Sequence, residues 1–427
     1  MNICVVALGK IGLPLAVQFA SKGHRVIGAD VSERVVRLVN DGAVPFPGET
    51  DLDVKLKEAV AAGLLSATTD TTAAVADSEA VVVVVPLFVD AEGVPDFGWM
   101  DDATRAIAAG LKPGTLVSYE TTLPVGTTRD RWAPMLQEGS GLTAGKDFHL
   151  VFSPERVLTG RVFADLRRYP KLVGGIDEAS GGHGVRFYEA VLDFDERPDL
   201  DRPNGVWDLG SAEASELAKL AETTYRDVNI GLANQFARFA DTVGVDVTKV
   251  IEACNTQPYS HIHSPGIAVG GHCIPVYPRM YLWNDPAATV VRSAREANVA
   301  MPEYAVDLLA AAYGDLTGVG VLVLGAAYRG GVKETAFSGV FPTVEALRRR
   351  GATPYVTDPM YTNEELVAHG LPGYAGEPVG AAVVQADHAE YRTLAPADLP
   401  GVTVLVDGRR VTDPDRWAGV RRVVIGG

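Results

Sequence analysis

The chain of 427 residues carries 38 Lys and Arg against 54 Asp and Glu, a formal charge of −16, with 47% apolar residues and three cysteines. That balance describes a globular protein of two or three domains and argues against a nucleic-acid partner, because basic side chains supply most such affinity. Apolar runs such as Ala80 to Val85, ended by Pro86, are too short to span a bilayer. The opening MNICVVALGK has neither a charged leader nor a cleavage site, so a cytoplasmic protein is expected. Cys4, Cys254 and Cys273 are too scattered for a disulfide scaffold or a zinc cluster, and no metal is expected.

In chain order, Asn2 to Leu8 reads as a strand, Leu13 to Ser21 as a helix, His24 to Ala29 as a strand and Glu33 to Asn40 as a helix. Ala80 to Val85 and Thr115 to Glu120 are continuous apolar runs of the kind found in parallel strands covered on both faces. Leu150 to Phe152 and Lys171 to Gly175 add strands, and Asp193 to Gly205, rich in Asp and Pro, reads as an irregular boundary. From Ser211 to Val243 there is no proline and one glycine, Gly231, which predicts one helix of roughly 30 residues. A segment dense in Pro, His and Gly follows from Gln257 to Pro278, then a single helix from Ala288 to Tyr313. Val319 to Leu324 restarts the strand–helix pattern, with a helix at Pro342 to Arg350 and strands at Thr353 to Thr357 and Val402 to Val406. The expected architecture is α/β: two doubly wound, Rossmann-like domains, 1–205 and 313–427, joined by a helical middle, 206–312.

Between the first strand and the first helix lie Gly9, Lys10, Ile11 and Gly12, and Asp30 closes the second strand. In that context Gly9 lets the backbone approach a pyrophosphate, Gly12 lets helix and strand pack closely, and Asp30 accepts from a ribose 2′-hydroxyl while repelling a 2′-phosphate. NAD is therefore the expected cofactor. Ala7 stands where a glycine usually does, which is tolerable if its backbone torsions stay in the ordinary region.

The sharpest segment is Gly270-Gly271-His272-Cys273-Ile274-Pro275. A cysteine in a loop too rich in glycine and proline to be a helix interior is reachable by a ligand, whereas Cys4, in a strand, reads as an inert small hydrophobe. An NAD site with a nucleophilic thiolate suggests a thiohemiacetal, hydride transfer to a thioester, and attack by water. Such chemistry needs a proton acceptor and an oxyanion partner. Ser153-Pro154-Glu155-Arg156-Val157-Leu158 offers Glu155, and the long helix offers Lys219; taken alone, the first reads as a salt-bridge partner and the second as a solvated charge.

These motifs, with Glu120-Thr121-Thr122-Leu123-Pro124-Val125-Gly126-Thr127-Thr128 and Arg226-Asp227-Val228-Asn229-Ile230, resemble the nucleotide-sugar 6-dehydrogenases, a family that includes UDP-glucose, GDP-mannose and UDP-N-acetylhexosamine dehydrogenases. The likeness runs over nearly the whole chain. It implies Cys273 as nucleophile, Lys219 as oxyanion partner, Glu155 as acid/base relay and Thr122 as the group ordering a water. It implies that Arg34, Pro86, Thr121 and Thr122 join the glycine turn around NAD, and that the substrate shell includes Glu155, Arg156, Val157, Leu158, Lys219, Thr223, Tyr259, Gly270, Tyr277, Tyr328 and Arg329. It further implies two NAD consumed per uronic acid formed, a nucleotide sugar held by the C-terminal domain, and a homodimer paired through the central helix. The Ser153 to Leu158 segment with Gly160-Arg161, the Arg226 to Ile230 segment and the Gly270 to Pro275 loop are most similar to the branch acting on UDP-N-acetylhexosamines, with UDP-glucose the alternative substrate.

Several positions depart from the family pattern. Tyr277 replaces an aspartate, Thr223 an asparagine and Tyr259 an arginine; Tyr328-Arg329 stands for Tyr-Lys, and Lys333 to Ser338 lacks two aspartates and an arginine. Pro86-Leu87-Phe88 lacks the usual Thr-Pro. Cys273, Lys219 and Glu155 are kept. A β-hydroxyacid dehydrogenase, which oxidises once without a cysteine, and a catalytically silent nucleotide-sugar binder are the competing readings.

Overall fold

The computed structural model describes residues 1–90 and 93–427. The chain forms two compact units, 1–221 and 222–427.

The first unit is built on strands β1 (Asn2–Val6), β2 (Arg25–Ala29), β3 (Leu65–Thr68), β4 (Ala80–Val83), a short antiparallel hairpin of β5 (Phe88–Val89) and β6 (Pro95–Asp96), then β7 (Leu116–Tyr119), β8 (His149–Phe152), β9 (Lys171–Gly175) and β10 (Val206–Asp208). The large sheet has the order β10-β9-β8-β7-β4-β1-β2-β3. From β3 to β8 all neighbours are parallel, the dinucleotide-binding order, while β9 runs antiparallel to β8. Alternation along β1 explains the two cores. Ile3 and Val5 pack with Leu13, Leu15 and Val17 of the helix Gly12–Ser21 on one face. Cys4 and Val6 pack with Val81, Val83, Val117 and Trp132 on the other. Burial pushes the Cys4 thiol up to about 12, so it stays an unreactive thiol, as its place in an apolar strand implies.

The helix Ala212–Val243 is unbroken over 32 residues, and the boundary between the units falls inside it. The second unit adds the helices Val247–Cys254, Tyr277–Asn284, Thr289–Val299 and Met301–Tyr313. The single helix expected from Ala288 to Tyr313 is thus two. Pro302 has no N–H for the carbonyl four residues back, so the chain ends one helix at Val299 and restarts with Pro302 in the first turn of the next. Likewise the Pro-rich segment ends earlier than expected, since Tyr277 and Pro278 open a helix. Strands β11 (Gly320–Leu324), β12 (Thr353–Thr357), β13 (Ala381–Val384), β14 (Val404–Asp407) and β15 (Arg421–Val424) form a parallel sheet of order β12-β11-β13-β14-β15. That is the second common doubly wound order. Among the described residues no helix is long and apolar enough to cross a membrane.

Candidate active site

The glycine turn after β1 is the first element of the site. Ala7 has φ +75°, in the left-handed region, so the condition under which a methyl group there is tolerable is not met. The turn enforces this torsion. The Ala7 N–H donates to the Ala29 carbonyl (2.7 Å), while its own carbonyl lies so close to Gly12 that a Cβ there would stand 1.9 Å from the oxygen. Gly12 is therefore a close-approach glycine, as read from the sequence. Gly9 is exposed, and a Cβ built on it would meet nothing within 4 Å, which leaves open the space a pyrophosphate needs. Asp30 accepts from the Leu8 N–H (2.8 Å) and the Ser32 N–H (2.9 Å), fixing both sides of the turn while each oxygen keeps acceptor capacity for a ribose. Ile11 caps the helix Gly12–Ser21 without a side-chain hydrogen bond. Lys10, Arg34 and Pro86 are exposed. The Thr121 hydroxyl donates to the Val85 carbonyl (2.7 Å), tying together the segments after β4 and β7, and Thr122 beside it is buried. These residues fit NAD.

After β7 and β8 the chain places two glutamates at the same end of the sheet. Glu155 is held three ways. Its N–H donates to the Glu120 carbonyl (3.3 Å), its Oε1 accepts from the Arg156 N–H (2.7 Å), and its Oε2 accepts from Lys171 Nζ (2.9 Å). Lys171 Nζ also donates to Glu120 Oε2 (2.8 Å), whose Oε1 accepts from the Tyr188 hydroxyl (2.6 Å). Glu120, Lys171 and Tyr188 are buried, and Glu155 is the most exposed of the four. Removing one partner of such a buried ion pair typically costs about 3–5 kcal/mol. Glu155 is a salt-bridge partner, as its sequence context suggested, but the pair lies at the sheet end beside the expected cofactor segment. Sequence reasoning missed Lys171 and left Glu120 without a role. The available signal was a lysine opening the otherwise apolar strand KLVGG.

The rest of the SPERVL segment is fixed by the same logic. Arg156 donates to the Pro170 carbonyl (3.3 Å), Val157 packs on the first core, and the Leu158 N–H donates to Asp165 (3.0 Å), leaving the Leu158 side chain exposed. Glu49 accepts from the N–H groups of Gly160 (2.6 Å) and Val162 (2.7 Å), and burial raises its pKa above the usual carboxylate value.

Lys219 is 8% exposed, so the reading of a solvated surface charge is wrong: the helix turns it inward. One turn earlier, Glu216 accepts from the Gly126 N–H (2.6 Å), the Thr128 N–H (2.9 Å) and the Thr128 hydroxyl (2.7 Å). Burial pushes Glu216 up to about 7 against those donors. Thr223, one turn beyond Lys219, is buried too.

In the second unit Cys273 is exposed, as expected. Its carbonyl accepts from the Val276 (3.2 Å) and Tyr277 (2.9 Å) N–H groups, so it stands at the approach to the helix Tyr277–Asn284, with Tyr277 in that helix's first turn. The two preceding glycines have a packing cause. A Cβ on Gly270 would lie 2.5 Å from Tyr328 Cβ and 2.9 Å from the Phe337 carbonyl; Gly271 has φ +92° and lies under the Tyr328 ring. The Gly271 N–H donates to the Ala336 carbonyl (2.9 Å). Arg409, which sequence reasoning also missed, is half-buried and donates to the carbonyls of Gln385 (2.8 Å), Ala268 (3.1 Å) and Tyr328 (3.4 Å). Upstream, Asn229 holds His261 and His263, and Asn234 holds Gly266. The cysteine loop is thus pinned at both ends. Arg329 is exposed beside the Tyr328 ring, Lys333 pairs with Glu365, and Tyr259 is 93% exposed.

Residues 1–192 match the NAD binding domain, 213–300 the central domain and 322–414 the UDP binding domain of the UDP-glucose/GDP-mannose dehydrogenase family. The chain is 34% identical to a UDP-N-acetyl-D-mannosamine dehydrogenase of Pyrococcus horikoshii, with 96% of both chains covered. It is 31% identical to an NDP-N-acetyl-D-galactosaminuronic acid dehydrogenase of Ralstonia solanacearum, covering 98% of this chain and 97% of that one. Among solved structures it is similar to the UDP-D-ManNAc dehydrogenase of P. horikoshii (TM-score 0.86, 32% identity, 100% and 99% covered). It is also similar to a UDP-glucose dehydrogenase of Pyrobaculum islandicum (TM-score 0.82, 27% identity, 98% of each).

Proposed function

The chain belongs to the UDP-glucose/GDP-mannose dehydrogenase family and is an NAD-dependent nucleotide-sugar dehydrogenase, and from that premise we propose that it oxidises the C6 alcohol of a UDP-N-acetylhexosamine to the uronic acid. The observation that carries the chemistry is the exposed Cys273 on its pinned loop. The acetamido sugar is supported by the relatives named above and by the SPERVL and GGHCIP motifs.

NAD, when bound, accepts the hydride in each oxidation. In this reading Glu155 takes the C6 hydroxyl proton as the alcohol becomes an aldehyde. The Cys273 thiolate adds to that aldehyde, and Lys219 stabilises the oxyanion that forms. The thiohemiacetal loses a second hydride to give a thioester, which water, ordered by Thr122 and activated by Glu155, cleaves to release the carboxylate and regenerate the thiol. Over the sequence two hydrides leave, one water enters and three protons are released. At position 277 a phenol stands in place of a carboxylate, so orientation of the water falls on Glu155 and Thr122. Arg329 would contact the diphosphate.

Pairing of two copies has its own support. Tyr225, Leu232, Phe236, Phe239 and Val243 are exposed and recur at intervals of seven, four, three and four along the long helix, the seam of a helix pair.

A panel of UDP-, GDP- and dTDP-hexoses with NAD, read by NADH formation and product mass, tests the reading. It predicts a uronic acid from UDP-N-acetylhexosamines; turnover confined to UDP-glucose would move the chain to the glucose branch, and no NADH with any sugar would overturn it.

A further inference from the structure

The cluster at the end of β7, β8 and β9 holds two carboxylates against one ammonium. Among the described residues the ionisable groups facing Glu120 are Lys171 and Glu155, which flank it, and Tyr188, from the helix Glu178–Val191. The hydroxyl of Ser118 lies 2.7 Å from that of Tyr188, so the chain of hydrogen bonds ends inside the protein. Fully ionised, this buried group carries one uncompensated negative charge, and one added proton makes it neutral. Only Glu155 reaches toward the surface.

We propose that Glu120 and Lys171 form a proton store for Glu155, Lys171 acting as the positioning residue that joins the two carboxylates. The exchange balances without a co-reactant. Lys171 Nζ first gives an N–H proton to Glu120, and the neutral amine, its lone pair now free, takes the proton of a protonated Glu155. Glu155 ends as a carboxylate, Lys171 is unchanged in charge, and Glu120 holds the proton. Direction follows from burial: desolvation pushes Glu120 up to about 7, with Glu155 adding to the rise and Lys171 opposing it. Burial also works against the charge on Lys171, yet the two carboxylates outweigh it and hold its pKa above the usual lysine value. The device suits a reaction that releases several protons beside one carboxylate, and so it rests on the function proposed above.

Two measurements separate the store from that function. The first is difference infrared spectroscopy of carboxyl groups between pH 5 and 8, which needs no turnover. The wild-type chain should show a protonated buried-carboxyl signal that E120Q lacks, beside the one Glu216 gives in both; identical spectra would show that Glu120 holds no proton and would overturn the proposal. The second is the pH profile of kcat. In E120Q the acid limb should move to lower pH by about one unit or more, since the group that takes up a proton near pH 7 is gone, while KM for the nucleotide sugar holds; K171R, whose guanidinium keeps the charge but does not give up a proton, should shift the limb as E120Q does. A wild-type enzyme that turns over with a profile unmoved in E120Q rejects the store alone. A wild-type chain without nucleotide-sugar oxidation rejects the function, and the infrared spectra still decide where the proton sits.

Discussion

Individual residues here take their meaning from what lies opposite them. Ala7 carries a left-handed backbone without the glycine that such a turn favours, so Ala7→Gly should raise stability by up to about 1 kcal/mol. A urea melt showing a loss would contradict the strained-turn account. Arg329 is the exposed cation beside Tyr328, and Arg329→Ala should raise KM for the nucleotide sugar several-fold with little change in kcat; an unchanged KM would remove it from the diphosphate. Cys273 could be picked out from the sequence because glycine and proline around it rule out a helix interior. Lys171, Glu120 and Arg409 could not. Their roles come from pairing across distant strands or from capturing backbone carbonyls, and the one local trace is the charge of Lys171 opening an otherwise apolar strand. Lys219 was misjudged alone for the same reason: a helix of mixed composition does not show which of its charges turns inward.

At the scale of elements, the strand–helix alternation and the long helix were legible because apolar periodicity is local and the helix lacks proline. Boundaries and breaks were less so. The strand expected to reach Leu8 ends at Val6, since the turn must present Gly9 and the Ala7 carbonyl, and Pro302 splits one expected helix in two. Gly270 is the sharpest test of loop packing. Gly270→Ala would drive a methyl into Tyr328 and the Phe337 carbonyl, costing about 1–3 kcal/mol and displacing the cysteine loop. Denaturant melts and kcat should fall together; a variant with normal stability and turnover would show that this contact does not position Cys273.

For the whole molecule, buried acids set a pH dependence that composition alone does not reveal. Glu120 and Glu216 are raised from an ordinary value near 4.5 to about 7 on folding. The folded state binds extra protons in that window, so these two groups make stability fall as pH rises from about 4.5 to about 7. E120Q removes one of them. Its stability relative to wild type should therefore improve as pH rises from about 5 to 7, and a difference flat with pH would contradict the burial assignment. The proposed pairing through the exposed apolar row of the long helix places a second test at this scale: the wild type should sediment as a dimer and Phe239→Glu as a monomer in analytical ultracentrifugation, and a monomeric wild type or an unaltered variant would contradict that pairing.

The overall charge that argues against nucleic acid also requires that anionic ligands be held locally, a task the proposed function gives to helix N-termini and to basic side chains such as Lys219 and Arg329. The central claim is that one thiol carries this acidic chain through two successive oxidations. Counting NADH against product for the wild-type chain and for Cys273→Ala, with the product identified by mass, tests it most directly. The account predicts two NADH per uronic acid from the wild type and no uronic acid from the variant. One NADH per product, or uronic acid formed without the thiol, would contradict it.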